Sequence, residues 1–189
     1  MLFRSTNKKY MQHYFGNITG AFTFPNLYKK IVTIFDNAEF IEIGVNYGQS
    51  AIFMGVEIIN QKKNIKLNLV DSWDENFESG VYDLFMNSSK PIREIMGDKL
   101  NIIRDLSVNA SQKFKDNSLD FIFIDACHDY ECVKEDLHVW YPKLKKEGII
   151  AGHDYYDGHY GVEKAVNEFF HEKIDSLYSQ EYCWVFYNK

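Results

Sequence analysis

The stretch Phe40-Ile41-Glu42-Ile43-Gly44-Val45-Asn46-Tyr47-Gly48-Gln49-Ser50 decides how the rest of the chain is read. It opens as a β-branched and aromatic run, passes through Gly44 and Gly48, and continues into Ala51-Ile52-Phe53-Met54, whose pattern is helical. A strand, a tight turn and a helix start therefore follow one another. Glycine tolerates positive φ and lets a ligand approach the main chain, and a helix N-terminus offers unpaired N–H groups at the positive end of its dipole. Such a turn is a place for a cofactor.

Working outward, Ser50 to Asn60 keeps Ile52, Val56 and Ile59 on one helical face, and a polar turn at Lys62 to Asn64 leads into a second strand, Ile65 to Val70, that ends in Asp71. Upstream, Asn26 to Phe35 has helical spacing after Pro25 and precedes the strand Glu39 to Ile43. Downstream, Ser72 to Met96 reads as a loop with short helical pieces at Val81 to Met86 and Pro91 to Met96. Leu100 to Arg104 is a third strand, Val108 to Phe114 a short helix, and Asp120 to Asp125 an apolar strand with acid at both ends. A helix from Tyr130 to Tyr141 stops at Pro142, and Gly148 to Gly152 is a fifth strand. A helix at Gly161 to Phe170 and a closing strand at Cys183 to Tyr187 complete the series.

This alternation predicts one α/β domain over residues 26–189, built on an open, doubly wound, mostly parallel sheet with helices on both faces. Leu2 to Pro25 is rich in aromatics without a period, and reads as an irregular lead-in that packs on the domain or as a lid over a substrate pocket. In a doubly wound sheet, ligands bind beyond the carboxyl ends of the strands. Glu42 to Gly48, Asp71, Asp105 to Ser107, Asp125 to His128 and His153 to Asp154 all follow strands at that edge.

Composition narrows the partners. With 189 residues, 46% of them hydrophobic, the chain fits a single domain with a full core. A formal net charge of -6 argues against nucleic acid, whose binding needs clustered Lys and Arg. Cys127, Cys132 and Cys183 form no CxxC pair and suit reduced thiols in the cytoplasm. No apolar run approaches the ~18 residues of a membrane span, so a soluble protein without membrane contact is expected.

The turn itself selects among cofactors. A dinucleotide fingerprint needs a glycine where Asn46 stands, and a P-loop needs Gly-Lys-Ser/Thr where Gly48 is followed by Gln49 and Ser50. Phosphate cofactors are thereby disfavoured. The pattern that remains carries Glu42, Gly44, Gly48 and Ser50, with Asp71 further on. A carboxylate at the second strand end can accept both ribose hydroxyls, and Glu42 can anchor an amino group by charge-assisted hydrogen bonds. A nucleoside cofactor with an ammonium and no phosphate, S-adenosyl-L-methionine, fits.

Three further stretches, Leu69-Val70-Asp71-Ser72-Trp73, Asp120 to Val133 (DFIFIDACHDYECV) and Gly148 to Tyr155 (GIIAGHDY), occur in order after the first. Together the four resemble the class I S-adenosylmethionine-dependent methyltransferases, most of all the small bacterial and phage-type O-methyltransferases grouped as methyltransferase family 24. The resemblance runs from about Phe24 to the C-terminus. It implies a seven-stranded sheet whose last strand is antiparallel, Gly44 and Gly48 along the methionine and ribose of the cofactor, Asp71 on the ribose hydroxyls, and Leu106 with Ser107 beside adenine. Trp73 would stack near the nucleoside or simply pack, Glu42 would touch the ligand or serve the turn backbone, and Asp71 has turn capping as its alternative role.

Asp125, His153 and Asp154 end two adjacent strands, so their side chains can converge on a divalent cation, Mg²⁺ or Mn²⁺, or else cap strand-end loops. Metal-dependent O-methyltransferases of the catechol and macrolide-sugar type place ligands at matching positions, although His153 departs from their usual acidic residue. His128 stands where the catechol enzymes carry a catalytic lysine and is the candidate base together with Asp125, which also borders the cofactor; His153 is the second choice. Cys127 reads as a wall residue. The expected acceptor is a hydroxyl of a small molecule or sugar, and a homodimer is open. Tyr155, Tyr156, His159 and Tyr160 would line the acceptor pocket, pack, or form a dimer surface. Two other readings share this rim: a nucleoside-binding scaffold without transfer activity, and a metal-dependent hydrolase or hydroxylase.

Overall fold

Strand alternation sorts two kinds of side chain onto the two faces of the sheet. The computed structural model describes residues 10–76, 78–171, 173–175 and 178–189. Its strands are β1 Asn37–Ile43, β2 Asn64–Asp71, β3 Leu100–Arg104, β4 Leu119–Ile124, β5 Leu144–Gly152 and β6 Trp184–Tyr187. Phe40, Phe121 and Phe123 point to one face and Ile41, Ile43, Ile122 and Ile124 to the other, as the two-residue period of a strand requires.

The helices are α1 Pro25–Ile34, α2 Gln49–Gln61, α3 Val81–Ser88, α4 Lys90–Met96, α5 Ser107–Ser111, α6 Tyr130–Trp140 and α7 Tyr160–Phe170. Helices α1 and α2 cover the phenylalanine face through Leu27, Tyr28, Phe53 and Met54. Helices α6 and α7 cover the isoleucine face through Val133, Leu137, Val162 and Val166. Proline at the first position of α1 has no N–H to lose there, and Gly48 starts α2 from a left-handed φ of 86°.

The strand order is β3-β2-β1-β4-β5-β6. Neighbours from β3 through β5 run parallel, and β6 is antiparallel to β5, pairing Gly152 with Trp184. The order reverses direction between β1 and β4, and the crevice beyond their ends is where such a sheet takes a ligand. The resemblance implied seven strands, and six form among the described residues. Outside β6, pairing among the described residues is a single bridge between Asp175 and Val185.

Helix α2 is buried on nearly every side, from Ser50 to Ile58. A second layer makes this stable. Met11, Tyr14, Phe15 and Ile18 of the N-terminal segment, with Ile92 of α4, pack on its outer face around Ile52 and Val56. Asn60 exchanges hydrogen bonds of 2.8 and 2.9 Å with the backbone of Met11, and His13 Nε2 lies 2.7 Å from Glu57 Oε1. Met11, Tyr14, Phe15, Ile18, Phe22 and Phe24 of the lead-in thus pack on or in the domain core, while residues 1–9 lie outside the described residues.

Candidate functional site

A cavity of about 1000 Å³ opens at the carboxyl rim of the sheet. All five polar clusters that follow the parallel strands contribute to its wall. A smaller hollow of about 410 Å³, beside Glu39, Asn68 and Asn101, brings none of these groups together.

At one end lies the glycine turn. Gly44 has φ 90°, and a Cβ built on it would stand 1.9 Å from the Asp125 carbonyl oxygen, so only glycine lets β1 pass this close to β4. Gly44 N–H donates to Val70 O at 2.9 Å and Asp125 N–H to Ile43 O at 2.8 Å, which wedges the turn between β2 and β4. No side chain caps α2, which leaves its first-turn amides without a side-chain acceptor, and Gly48, Gln49 and Ser50 line the cavity.

Asp71 holds this turn. Its Oδ2 accepts from Val45 N–H and Asn46 N–H, each at 2.8 Å, and its Oδ1 accepts from Trp73 N–H at 2.8 Å. Three charge-assisted bonds leave one carboxylate lone pair for a ligand hydroxyl. Trp73 is buried in the wall, donates Nε1–H to Asn46 O at 2.8 Å, and stacks on Phe85 with ring centroids 4.9 Å apart. Leu106 is exposed at the mouth. Ser107 Oγ donates to Asp136 and accepts Trp140 Nε1–H at 2.9 Å, so its hydroxyl is committed to α6.

Glu42 stands behind the wall rather than on it. It is 1% exposed, and Ser50 Oγ donates to its Oε1 at 2.5 Å. Burial pushes its carboxyl up to about 8, against the lowering effect of the Ser50 bond, so it is largely protonated at neutral pH. Glu42 bonds to Ser50 at the start of α2 and is not part of the cavity wall.

The other end gathers the groups expected to do chemistry. One ligand atom each from Asp125, His153 and Asp154 lies within 4.8 Å of the others. His128 Nε2 is 2.9 Å from Asp154 Oδ2, and His159 Nε2 is 3.8 Å from Asp154 Oδ1. Asp154 occupies the left-handed region at φ 57°, which turns its carboxylate toward all three imidazoles. Burial pushes Asp125 up to about 6, partly offset by His153. Burial would likewise raise Asp154, but hydrogen bonds from His128 and His153 hold it well below the usual carboxylate range. The Asp154 bond raises His128 above the ordinary imidazole value; His153 is also raised, its carboxylate neighbours outweighing the opposing effect of burial.

Thr23 and Gln49 contribute although the sequence reading assigns neither of them a role in the site. Thr23 Oγ1 lies 2.8 Å from His153 Nε2, and the Phe24 ring packs 4.8 Å from the same imidazole. Gln49 receives Phe22 N–H on Oε1 at 2.9 Å and donates Nε2–H to Phe15 O and Ile18 O at 3.2 Å. These bonds tie residues 15–24 to the start of α2, and Thr19 to Phe22 and Phe24 form cavity wall. The only available hints were the Phe22-Thr23-Phe24 alternation and the place of Gln49 directly after the turn. Cys127 and Cys132 line the cavity as free thiols, whereas Tyr155, Tyr156, His159 and Tyr160 are absent from its wall. Tyr155 Oη donates to Asn167 at 2.7 Å, Tyr156 rests against Tyr182, and Tyr160 is exposed.

Comparison with known proteins completes the picture. The O-methyltransferase NovP aligns with a TM-score of 0.63 at 14% identity, over 88% of this chain and 80% of that one. The precorrin-6y C5,15-methyltransferase of Geobacter metallireducens aligns with a TM-score of 0.60 at 12% identity, over 80% and 70%. At such identities these likenesses speak for the fold. A curated relative, the uncharacterized protein y4gI of Sinorhizobium fredii (strain NBRC 101917 / NGR234), is 23% identical over 120 residues, 60% of this chain, and the chain spans 13% of that relative's length. A family model described as a methyltransferase domain matches residues 41–155, from the second residue of the glycine-turn stretch to the end of the His153-Asp154 rim, and the chain belongs to that family.

Proposed function

We propose that the chain is an S-adenosyl-L-methionine-dependent methyltransferase that transfers the methyl group to a hydroxyl of a small molecule or sugar. One observation carries this reading: a single cavity joins the glycine turn and Asp71 to the cluster of Asp125, His128, His153 and Asp154. Its volume, about 1000 Å³, accommodates a nucleoside donor and a small acceptor side by side. The donor fits the residues present, since the turn is held open by glycine, α2 begins at the cavity wall with no side-chain cap on its first-turn amides, and Asp71 keeps a free lone pair.

Methyl transfer from a sulfonium is an in-line displacement, so the protein's work is to align donor and acceptor and to take up the acceptor's proton. His128 suits the second task. With Nε2–H directed at Asp154, neutral His128 carries its lone pair on Nδ1, and Asp154 stabilises the imidazolium that forms. Phe22, Phe24 and Trp73 supply apolar wall that limits water.

Two carboxylates and an imidazole within 4.8 Å also fit a borderline cation such as Mn²⁺ better than Mg²⁺, which prefers oxygen alone. Asp125, His153 and Asp154 would hold it, and when bound it would lower the pKa of an acceptor hydroxyl. Among the described residues no helix is long and apolar enough to cross a membrane. Together with the three free cysteines and the acidic balance, this supports a cytoplasmic enzyme with small-molecule partners and no nucleic acid.

Titration calorimetry with S-adenosylhomocysteine tests the reading: binding is expected, and loss of binding in Asp71→Ala. No heat at sub-millimolar ligand would overturn it. Binding without release of S-adenosylhomocysteine from the donor across an acceptor panel would favour the scaffold reading.

A further inference from the structure

The ionisable groups of the cavity wall are strongly one-sided. Eight of the chain's 27 acidic side chains line it. Asp71, Asp74 and Glu78 stand toward the glycine turn and the loop after β2. Asp105, whose carboxylate Lys113 pairs at 2.7 Å from outside the wall, borders the α5 and α6 side with Glu135 and Asp136, and Asp125 and Asp154 border the histidine cluster. None of the described lysines or arginines lines this cavity. Among the described residues, His128 and His153 are the lining side chains that can become cationic, and Asp154 engages both, at 2.9 and 3.4 Å.

A low-dielectric cleft lined by one sign of charge focuses its field and discriminates against ligands of that sign. The methyl donor sets a sulfonium and an ammonium against a single carboxylate, a net positive charge suited to such a wall. The apolar part of the wall, with Ala21, Phe22, Phe24, Tyr47, Trp73 and Val81, offers ring faces instead. We infer that the acceptor carries no anionic group, and that the site selects neutral or amine-bearing hydroxyl compounds against phosphate esters, nucleotide thioesters and carboxylates. This rests on the methyltransferase reading and adds the charge class of the acceptor to it.

The test uses two matched series on the full chain saturated with S-adenosylhomocysteine. One is 1,2-dihydroxybenzene with an aminoethyl, no, or a carboxylate substituent; the other is a hexose bearing a 2-amino group, unmodified, or 6-phosphorylated. Affinities come from ligand-observed NMR, with S-adenosylhomocysteine release from the donor as the second readout. In at least one series the amine and neutral members are expected to bind at least about tenfold more tightly than the anion, the scale of one unfavourable charge contact. Glu78→Lys, a change at an exposed wall residue, is expected to narrow that gap. Equal or tighter binding of the anions, or no preference in either series, overturns the inference. Failure of S-adenosylhomocysteine itself to bind would instead overturn the methyltransferase reading, so the two failures are told apart.

Discussion

His128 and Asp154 are joined by an ion pair of 2.9 Å, made possible by the left-handed backbone of Asp154 at φ 57°. The pair shifts both partners, His128 upward and Asp154 downward. A proton acceptor must be neutral, so the rate of transfer is expected to rise with pH through the raised value of His128. Asp154→Asn removes the carboxylate, so the rising limb should move toward lower pH while kcat falls. A pH–rate profile of the two proteins checks this, and an unmoved limb would remove His128 from the base role.

The same pair has a stability window. A histidine whose folded value is raised contributes stability that is full below its unfolded pKa and is lost as pH rises through the folded one. Asp154, with a depressed folded value, contributes above its unfolded pKa and loses that contribution as pH falls. The pair therefore stabilises most between the unfolded pKa values of aspartate and histidine, roughly pH 4 to 6.5. Thermal melts of His128→Ala are expected to fall furthest below the parent inside that window.

Glu42 acts in the opposite sense. Its folded value of about 8 lies above the ordinary carboxyl value of about 4.5, so the folded state keeps a proton that the unfolded chain has released. Stability is then lost as pH rises from about 4.5 to about 8. Glu42→Gln keeps the shape and removes the titration. Urea unfolding at pH 7 is expected to show the variant more stable, by about 3 kcal/mol at most, with the difference vanishing near pH 4.

Much of this was legible in the sequence because a two-residue period and a glycine turn are local signals. The parallel strands from β1 to β5, the helix starts at Pro25 and after Gly48, and the rim positions of Asp71, Asp125 and Asp154 were all read from neighbours in the chain. What was not legible depends on distant pairing. Thr23 reaches His153 across 130 positions, and Ser107 is taken by Asp136 on another helix. Glu42 looks like a ligand anchor in the linear pattern, and only three-dimensional packing shows that α2 and Tyr28 close over it.

Gly44 and Gly80 separate backbone strain from collision. Both have positive φ, 90° and 78°, but a Cβ on Gly80 meets nothing within 4 Å, whereas on Gly44 it meets Asp125 O at 1.9 Å. Gly80→Ala should cost about 1–2 kcal/mol, the price of the left-handed region alone. Gly44→Ala should cost more than about 4 kcal/mol, because β1 or β4 must move. Denaturant midpoints of the two variants measure the contrast, and similar midpoints would show that the turn is looser than its geometry implies.

The metal question turns on His153, which faces Asp125 and Asp154 through Nδ1 at 3.8 and 3.4 Å while Thr23 holds its Nε2. An imidazole so fixed offers a nitrogen donor between two carboxylates, which favours Mn²⁺ over Mg²⁺. A cation that binds only the folded state raises the melting temperature by mass action. Mn²⁺ is therefore expected to raise the melting temperature of chelator-treated protein more than Mg²⁺ at equal concentration, and Asp125→Asn should abolish the rise. His153→Ala should reduce the Mn²⁺ effect and leave that of Mg²⁺ nearly unchanged, since the two oxygen donors remain. Equal responses to the two ions in the parent protein, or a Mn²⁺ response that survives Asp125→Asn, would leave Asp125 and Asp154 with loop organisation and the pairing of His128 and His153 as their whole role.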